Sequence, residues 1–147
     1  MKKNGLLLAV LLAALAFTGC GSTKYQDGSY RAEAADFDQH GWKEFLDITV
    51  TGGKITSVDF DALYKDDLRR KSEDMDYQKA YREAGLGTDP ADYCIRLEDS
   101  LLERQKAAQV DAVAGATTSS EHFRQMAEQL QKAMEAGNTD TVYLSLE

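Results

Sequence analysis

Phe45-Leu46-Asp47-Ile48-Thr49-Val50-Thr51-Gly52-Gly53-Lys54-Ile55-Thr56-Ser57-Val58-Asp59-Phe60 reads as two strands joined by a tight turn. From Phe45 to Val50 apolar and polar residues alternate with the period of a half-buried strand. Gly52-Gly53 accepts the positive φ angles that a two-residue hairpin demands. Alternation resumes after the turn with Ile55, Val58 and Phe60 as the apolar members. Ile55 and Val58 are an odd number of residues apart, so the spacing predicts a bulge. Upstream, Asp27-Gly28-Ser29-Tyr30 marks a turn into an earlier strand, which makes the N-terminal part an antiparallel meander.

Helical periods follow the strands. A stretch from Glu73 to Glu83 places Tyr77, Ala80, Tyr81 and Ala84 on one face. Asp89-Pro90 reads as an N-cap followed by the only proline at the first helical position, with the helix running to about Ala107. Its Tyr93, Cys94, Leu97 and Leu101 form the packing stripe, and Cys94 reads as a small buried hydrophobe. A last helix, capped by Ser119 or Ser120, carries Phe123, Met126, Ala127, Leu130, Ala133 and Met134 until Gly137 stops it. Thr141 to Leu146 alternates again and adds a strand. The expected fold is therefore α+β, a single domain with two or three helices packed on an antiparallel sheet.

Residues 1–19 read as a lipoprotein signal peptide. Lys2 and Lys3 precede an apolar run from Leu6 to Phe17, too short to span a bilayer, and Thr18-Gly19 lead to Cys20 as the lipid-bearing residue. Residues 20–26 follow as lipidated cysteine and polar tether, and 27–147 as the domain. The formal net charge of −8 becomes more negative when Lys2 and Lys3 are removed, which argues against nucleic acid as a partner. With Cys20 acylated, Cys94 is the one remaining thiol, and His40 and His122 are far apart in sequence. No disulfide and no metal-ligand spacing is expected, so any redox chemistry falls to an organic cofactor.

Asp111-Ala112-Val113-Ala114-Gly115-Ala116-Thr117-Thr118-Ser119-Ser120 places small residues and hydroxyls at the entrance of the last helix. Helix N-termini offer unpaired N–H groups and the positive end of the dipole, which suits an anion such as phosphate. The string Asp111 to Thr117 resembles the attachment motif of the FMN-binding domain family, found in the periplasmic flavin subunits of sodium-pumping and Rnf-type quinone reductases and in surface flavin lipoproteins. The fourth position is Ala114, where that family usually has Ser or Thr. Asp27-Gly28-Ser29-Tyr30, Gly52-Gly53-Lys54-Ile55 and the helix from Ser120 stand in the family's order, so the resemblance spans most of the chain. The segment from Asp36 to Phe45 and Lys71-Ser72-Glu73-Asp74 look like its lipoprotein branch, associated with flavin-based extracellular electron transfer.

The resemblance implies FMN bound covalently as a phosphoester at Thr117, with Thr118 as the adjacent alternative acceptor. It implies a magnesium-dependent FMN transferase, with FAD as donor, as the maturation partner, and Asp111 as the residue used in transfer. Gly115 and Ala116 act through their smallness, and Ser119 lies at the same helix entrance. Trp42 is a candidate to stack on the flavin ring, against a core or strand-edge role, and His40 to hydrogen-bond its edge or hand on a proton, against the commoner outcome of a lone surface histidine. Lys71 would suit the flavin's N1 side, although one surface charge among many is the preferred reading. The expected function is a cell-membrane flavoprotein, lipid-anchored and facing the extracytoplasmic side. It would carry electrons from a membrane dehydrogenase or quinone-linked donor to an extracytoplasmic acceptor, rather than turn over a substrate. The alternatives are a lipoprotein binding FMN non-covalently, as a reductase or scavenger, and a flavin-free surface binding module.

Overall fold

The computed structural model describes residues 25–146. The signal peptide and Cys20 lie outside the described residues. Three strands form the meander: β1 (Gly28–Ala34), β2 (Trp42–Thr51) and β3 (Lys54–Tyr64). They are followed by α1 (Met75–Glu83), α2 (Pro90–Arg104), α3 (Thr117–Ala136) and the short strand β4 (Val142–Leu144), with single 3-10 turns at Lys71–Glu73 and Ala107–Gln109. The sheet order is β3-β2-β1-β4. Both meander pairings are antiparallel, and β4 joins β1 in parallel, so the sheet is mostly antiparallel with one parallel edge. The expected α+β class and the tail strand are found. The parallel edge is the departure, because α3 must be crossed before the chain can pair with β1.

The predicted bulge is present. Thr49 pairs with Ser57 and Val50 with Ile55, so Thr56 is the extra residue that brings Ile55 onto the same face as Val58 and Phe60. The turn before it is held from outside the hairpin: Asp27 accepts hydrogen bonds from the N–H groups of Gly52 (3.0 Å) and Gly53 (2.8 Å). The aspartate of the Asp-Gly-x-Tyr segment thus locks the hairpin turn against the start of β1.

One face of the sheet carries Tyr30, Ala32, Leu46, Ile48, Val50, Val58 and Phe60, all buried under the helices. From α2 come Tyr93, Cys94, Leu97 and Leu101, and from α3 Phe123, Met126, Ala127, Leu130 and Met134. The Phe60 and Phe123 rings meet edge to face at 5.0 Å. Full burial stabilises by roughly 1.5–3 kcal/mol for each large apolar side chain, so this interface is the main source of folding energy. On the opposite face Phe45 is also buried, clamped by the guanidinium groups of Arg31 (4.7 Å) and Arg70 (5.3 Å).

As an edge strand, β3 presents a row of backbone groups that invites pairing with other chains. Side chains from α2 and its cap close it. Gln105 Oε1 accepts from Ile55 N–H and its Nε2 donates to Ile55 C=O, so one amide imitates a neighbouring strand. Further along, Phe60 N–H donates to Glu98 Oε1 at 2.8 Å. Gln105 also ends α2 in the left-handed conformation (φ 60°), which stops the helix at Arg104, short of the expected Ala107.

Two boundaries move. The tether was expected to reach Gln26, yet Tyr25 is buried and its hydroxyl donates to Gln105 C=O, while Gln26 N–H donates to Met134 C=O. The domain therefore includes Tyr25, whose aromatic ring finds a core site that a short polar stretch does not advertise. The helix expected from Glu73 begins at Met75, because Asp74 is its N-cap and accepts from Tyr77 N–H.

Burial pushes the half-buried Glu98 carboxyl up to about 7. A carboxyl whose folded-state pKa exceeds its unfolded value binds more protons when folded, so it costs stability as pH rises from the ordinary carboxylate range towards 7. Glu98→Gln keeps the acceptor for Phe60 N–H and removes that cost. Urea denaturation should show the variant gaining stability over the parent at pH 8 and losing that advantage at pH 4.

Candidate functional site

Gly115 adopts φ +82°, and a Cβ placed on it would meet the carbonyl oxygen of Leu86 at 2.1 Å. The Ala114-Gly115 turn is therefore pressed against the loop before α2, and only glycine fits. Ala116 is buried and N-caps α3 without any side-chain hydrogen bond. The expected caps take other roles. Ser119 is buried as the third residue of the helix, and Ser120 Oγ accepts from Val113 N–H (2.9 Å) while donating to Ala116 C=O (2.7 Å). That reciprocal pair folds the 111–116 turn back onto the helix. It also explains why the smallness of Gly115 and Ala116 serves packing inward.

The consequence is a helix entrance left open. Among the described residues, no protein acceptor takes the N–H of Thr117, Thr118 or Ser119, and the first bond of α3 runs from Ser120 N–H to Ala116 C=O. Thr117 and Thr118 are exposed, as are Asp111 and Ala114. Position 114 faces solvent, so alanine there leaves the turn's packing intact.

Thr118 and Ser119 also line a cavity of about 590 Å³ beside this entrance. Its walls come from the end of β1, the loop before β2 (Asp36, Asp38, His40), β2 itself (Trp42, Glu44), the 71–81 segment (Lys71, Tyr77, Tyr81), α3 (His122) and the segment after β4 (Leu146). Of the residues singled out from sequence, His40, Trp42, Lys71, Thr118 and Ser119 line it. Thr117 stands one residue outside, and Asp111, Gly115 and Ala116 form the turn behind it. His40 is exposed, its N–H donating to Asp38 Oδ1.

Trp42 is only 3% exposed, meeting Tyr64 at 5.1 Å and Tyr77 edge-on at 5.5 Å. Its ring faces are largely taken. The half-buried rings at the cavity are Tyr77 and Tyr81, 5.9 Å apart, and Tyr81 continues to the buried Tyr93 at 6.1 Å. Burial raises the Tyr77 and Tyr81 phenols above their ordinary value, so both stay protonated at neutral pH.

Lys71 is the departure with most consequence. Expected as one surface charge among many, it is 7% exposed and lines the cavity, its Nζ 4.6 Å from the centre of the Tyr77 ring and 5.9 Å from Trp42. Among the described residues it makes no ion pair, whereas the neighbouring Arg70 is committed to Asp59 and the buried Asp61. Sequence reasoning also passed over the half-buried pair His122 and Glu44, joined Nδ1 to Oε2 at 2.5 Å across α3 and β2. The missed signal was the position of His122 at the edge of the α3 apolar stripe, one residue before Phe123.

Cys94 is buried, and burial, with Asp61 and Glu98 adding to it, pushes its thiol well above the ordinary value. It packs rather than reacts.

The long last helix of this α+β domain thus opens beside a cavity of mixed aromatic and charged lining. The family model described as FMN-binding domain matches residues 41–132, and the chain belongs to that family. It is 39% identical over 146 residues to a protein named 15 kDa lipoprotein from Treponema pallidum, covering 97% of this chain and 98% of the relative. Among solved structures it is similar to the CPE2226 protein from Clostridium perfringens, with TM-score 0.78 and 36% identity over 84% of this chain and 99% of that one. No helix among the described residues is long and apolar enough to cross a membrane.

Gly115→Ala should be strongly destabilising, since it meets both the left-handed backbone and the Leu86 carbonyl. A loss of about 2 kcal/mol or more is expected from strain of this kind, read as a fall in thermal midpoint.

Proposed function

We propose that the protein is a surface-anchored flavoprotein that carries electrons, with FMN joined to Thr117 through a phosphoester. The observation that carries this reading is an exposed Thr117 hydroxyl at the uncapped start of α3, one residue from a cavity walled by Tyr77, Tyr81 and Lys71. The three open N–H groups suit a phosphate at that hydroxyl, with the helix dipole in support. The two tyrosine rings suit an aromatic ring system. Lys71 brings a cation to the site, where it would favour the negative charge that a flavin gains on reduction. FMN supplies reversible electron chemistry; the chain anchors it, orients it and limits water around it.

Attachment would follow the family's route. Thr117 Oγ1 attacks FAD at the phosphorus of its FMN half, the hydroxyl proton leaves, and AMP departs, under a magnesium-dependent transferase. Asp111, exposed on the turn and away from the cavity, is available to that enzyme. Membrane tethering through Cys20 agrees with the lipoprotein name of the Treponema relative, and the proposed side is extracytoplasmic. A covalent tie suits that location, because an exported protein cannot recapture a cofactor lost to the medium. The proposed donor is a membrane dehydrogenase or a quinone-linked enzyme, and the acceptor is extracytoplasmic.

Co-expression with an FMN transferase should give flavin fluorescence that survives denaturing electrophoresis. Thr117→Ala should abolish it and Thr118→Ala should leave it. Flavin released by denaturation would instead support non-covalent binding, and an unchanged intact mass would support a flavin-free module. In the loaded protein, Lys71→Met should lower the midpoint potential and Lys71→Arg should largely restore it, as read by spectroelectrochemical titration.

A further inference from the structure

The cavity wall contains a paired acid and base that the reading above does not use. His122 lies on the first turns of α3 and Glu44 on the inner face of β2, each about 15% exposed, with Nδ1 and Oε2 2.5 Å apart and both residues lining the cavity. The other charged or titratable groups around them are Asp36, Asp38 and His40 on the loop before β2, Lys71 on the turn before α1, and Tyr77 and Tyr81 on α1. The tyrosines keep their protons at neutral pH, and Lys71 supplies a fixed positive charge. His40 is exposed on the outer side of the cavity. Histidine is the side chain suited to exchange a proton near neutrality, and a carboxylate on one ring nitrogen fixes its orientation and favours its charged form. His122 is the half-buried group of the wall that meets both conditions.

We propose that the Glu44–His122 pair is the proton store of this cavity. His122 holds a proton beside the Glu44 carboxylate and yields it to a flavin in the cavity as that flavin is reduced. Glu44 is a positioning residue, acting through the imidazole. The balance is simple: two electrons from the membrane donor and one proton from His122 convert the oxidised flavin to its anionic reduced form. The neutral imidazole then takes a proton from water entering by Gln39 and His40. This rests on the flavin reading above.

The pair itself is testable without cofactor. In the full-length, unflavinylated protein labelled with ¹⁵N, the imidazole of His122 should lose its proton at lower pH in Glu44→Gln than in the parent. Titration of His122 unchanged by Glu44→Gln would overturn the proposal whether or not flavin binds. In the flavin-loaded protein, the midpoint potential plotted against pH should bend where His122 titrates. The bend should move with Glu44→Gln and vanish in His122→Asn. The same bend in all three proteins would overturn the proton store and leave the flavin reading standing, whereas failure of the parent to acquire flavin at all would overturn both. Glu44→Gln retains a hydrogen-bonding side chain at the helix–sheet contact, so the test survives if His122→Asn fails to fold.

Discussion

The packing of α3 on the inner face of the sheet is the constraint on which the rest depends. Phe123, Met126, Leu130 and Met134 are buried against β1 and β2, with Phe60 meeting Phe123 edge-on. Because side chains on a helix share a face every three or four residues, that stripe sets the helix's rotation as well as its depth. The rotation leaves Thr117 and Thr118 exposed, turns His122 towards Glu44 on β2, and buries Ser119 and Ser120. A helix rotated by one residue position would lose the apolar stripe and the site together.

Around this packing, several polar groups finish what backbone pairing leaves open. Asp27 closes the hairpin turn, Gln105 and Glu98 cover the exposed edge of β3, and Ser120 ties the 111–116 turn to the helix it precedes. Each satisfies a backbone N–H that would otherwise be unpaired or open to another chain. The site differs from this pattern. There, among the described residues, the first N–H groups of α3 have no protein acceptor, a buried ammonium has no carboxylate partner, and the tyrosine rings line a cavity. Unspent hydrogen-bonding and electrostatic capacity is concentrated in one place, and that place adjoins the threonine of the family motif.

Much of this was legible in the chain. Alternation around Gly52-Gly53 and the odd spacing of Ile55 and Val58 located the hairpin and its bulge, since a pleated strand has a strict period of two. Asp89-Pro90 marked a helix start through cap chemistry, and Gly137 marked a helix end by its positive φ. The turn from Asp111 to Thr117 was legible as a motif. The expected serine caps were not correct, because hydroxyl residues near a helix start read alike whether they cap it or sit inside its first turn.

Local order is thus what the sequence by itself determined: strand and helix periods, the Asp89 cap, and the threonine at the helix entrance. These depend on neighbours within a few residues, where spacing alone decides which side chains share a face. Only the tertiary structure decided that Lys71 is a buried cation over Tyr77, that Tyr77 and Tyr81 rather than Trp42 offer ring surface, and that His122 meets Glu44. Those contacts join residues up to 78 positions apart in the chain. Their existence depends on how α3, α1 and β2 are packed, and no periodicity in one segment records the position of another.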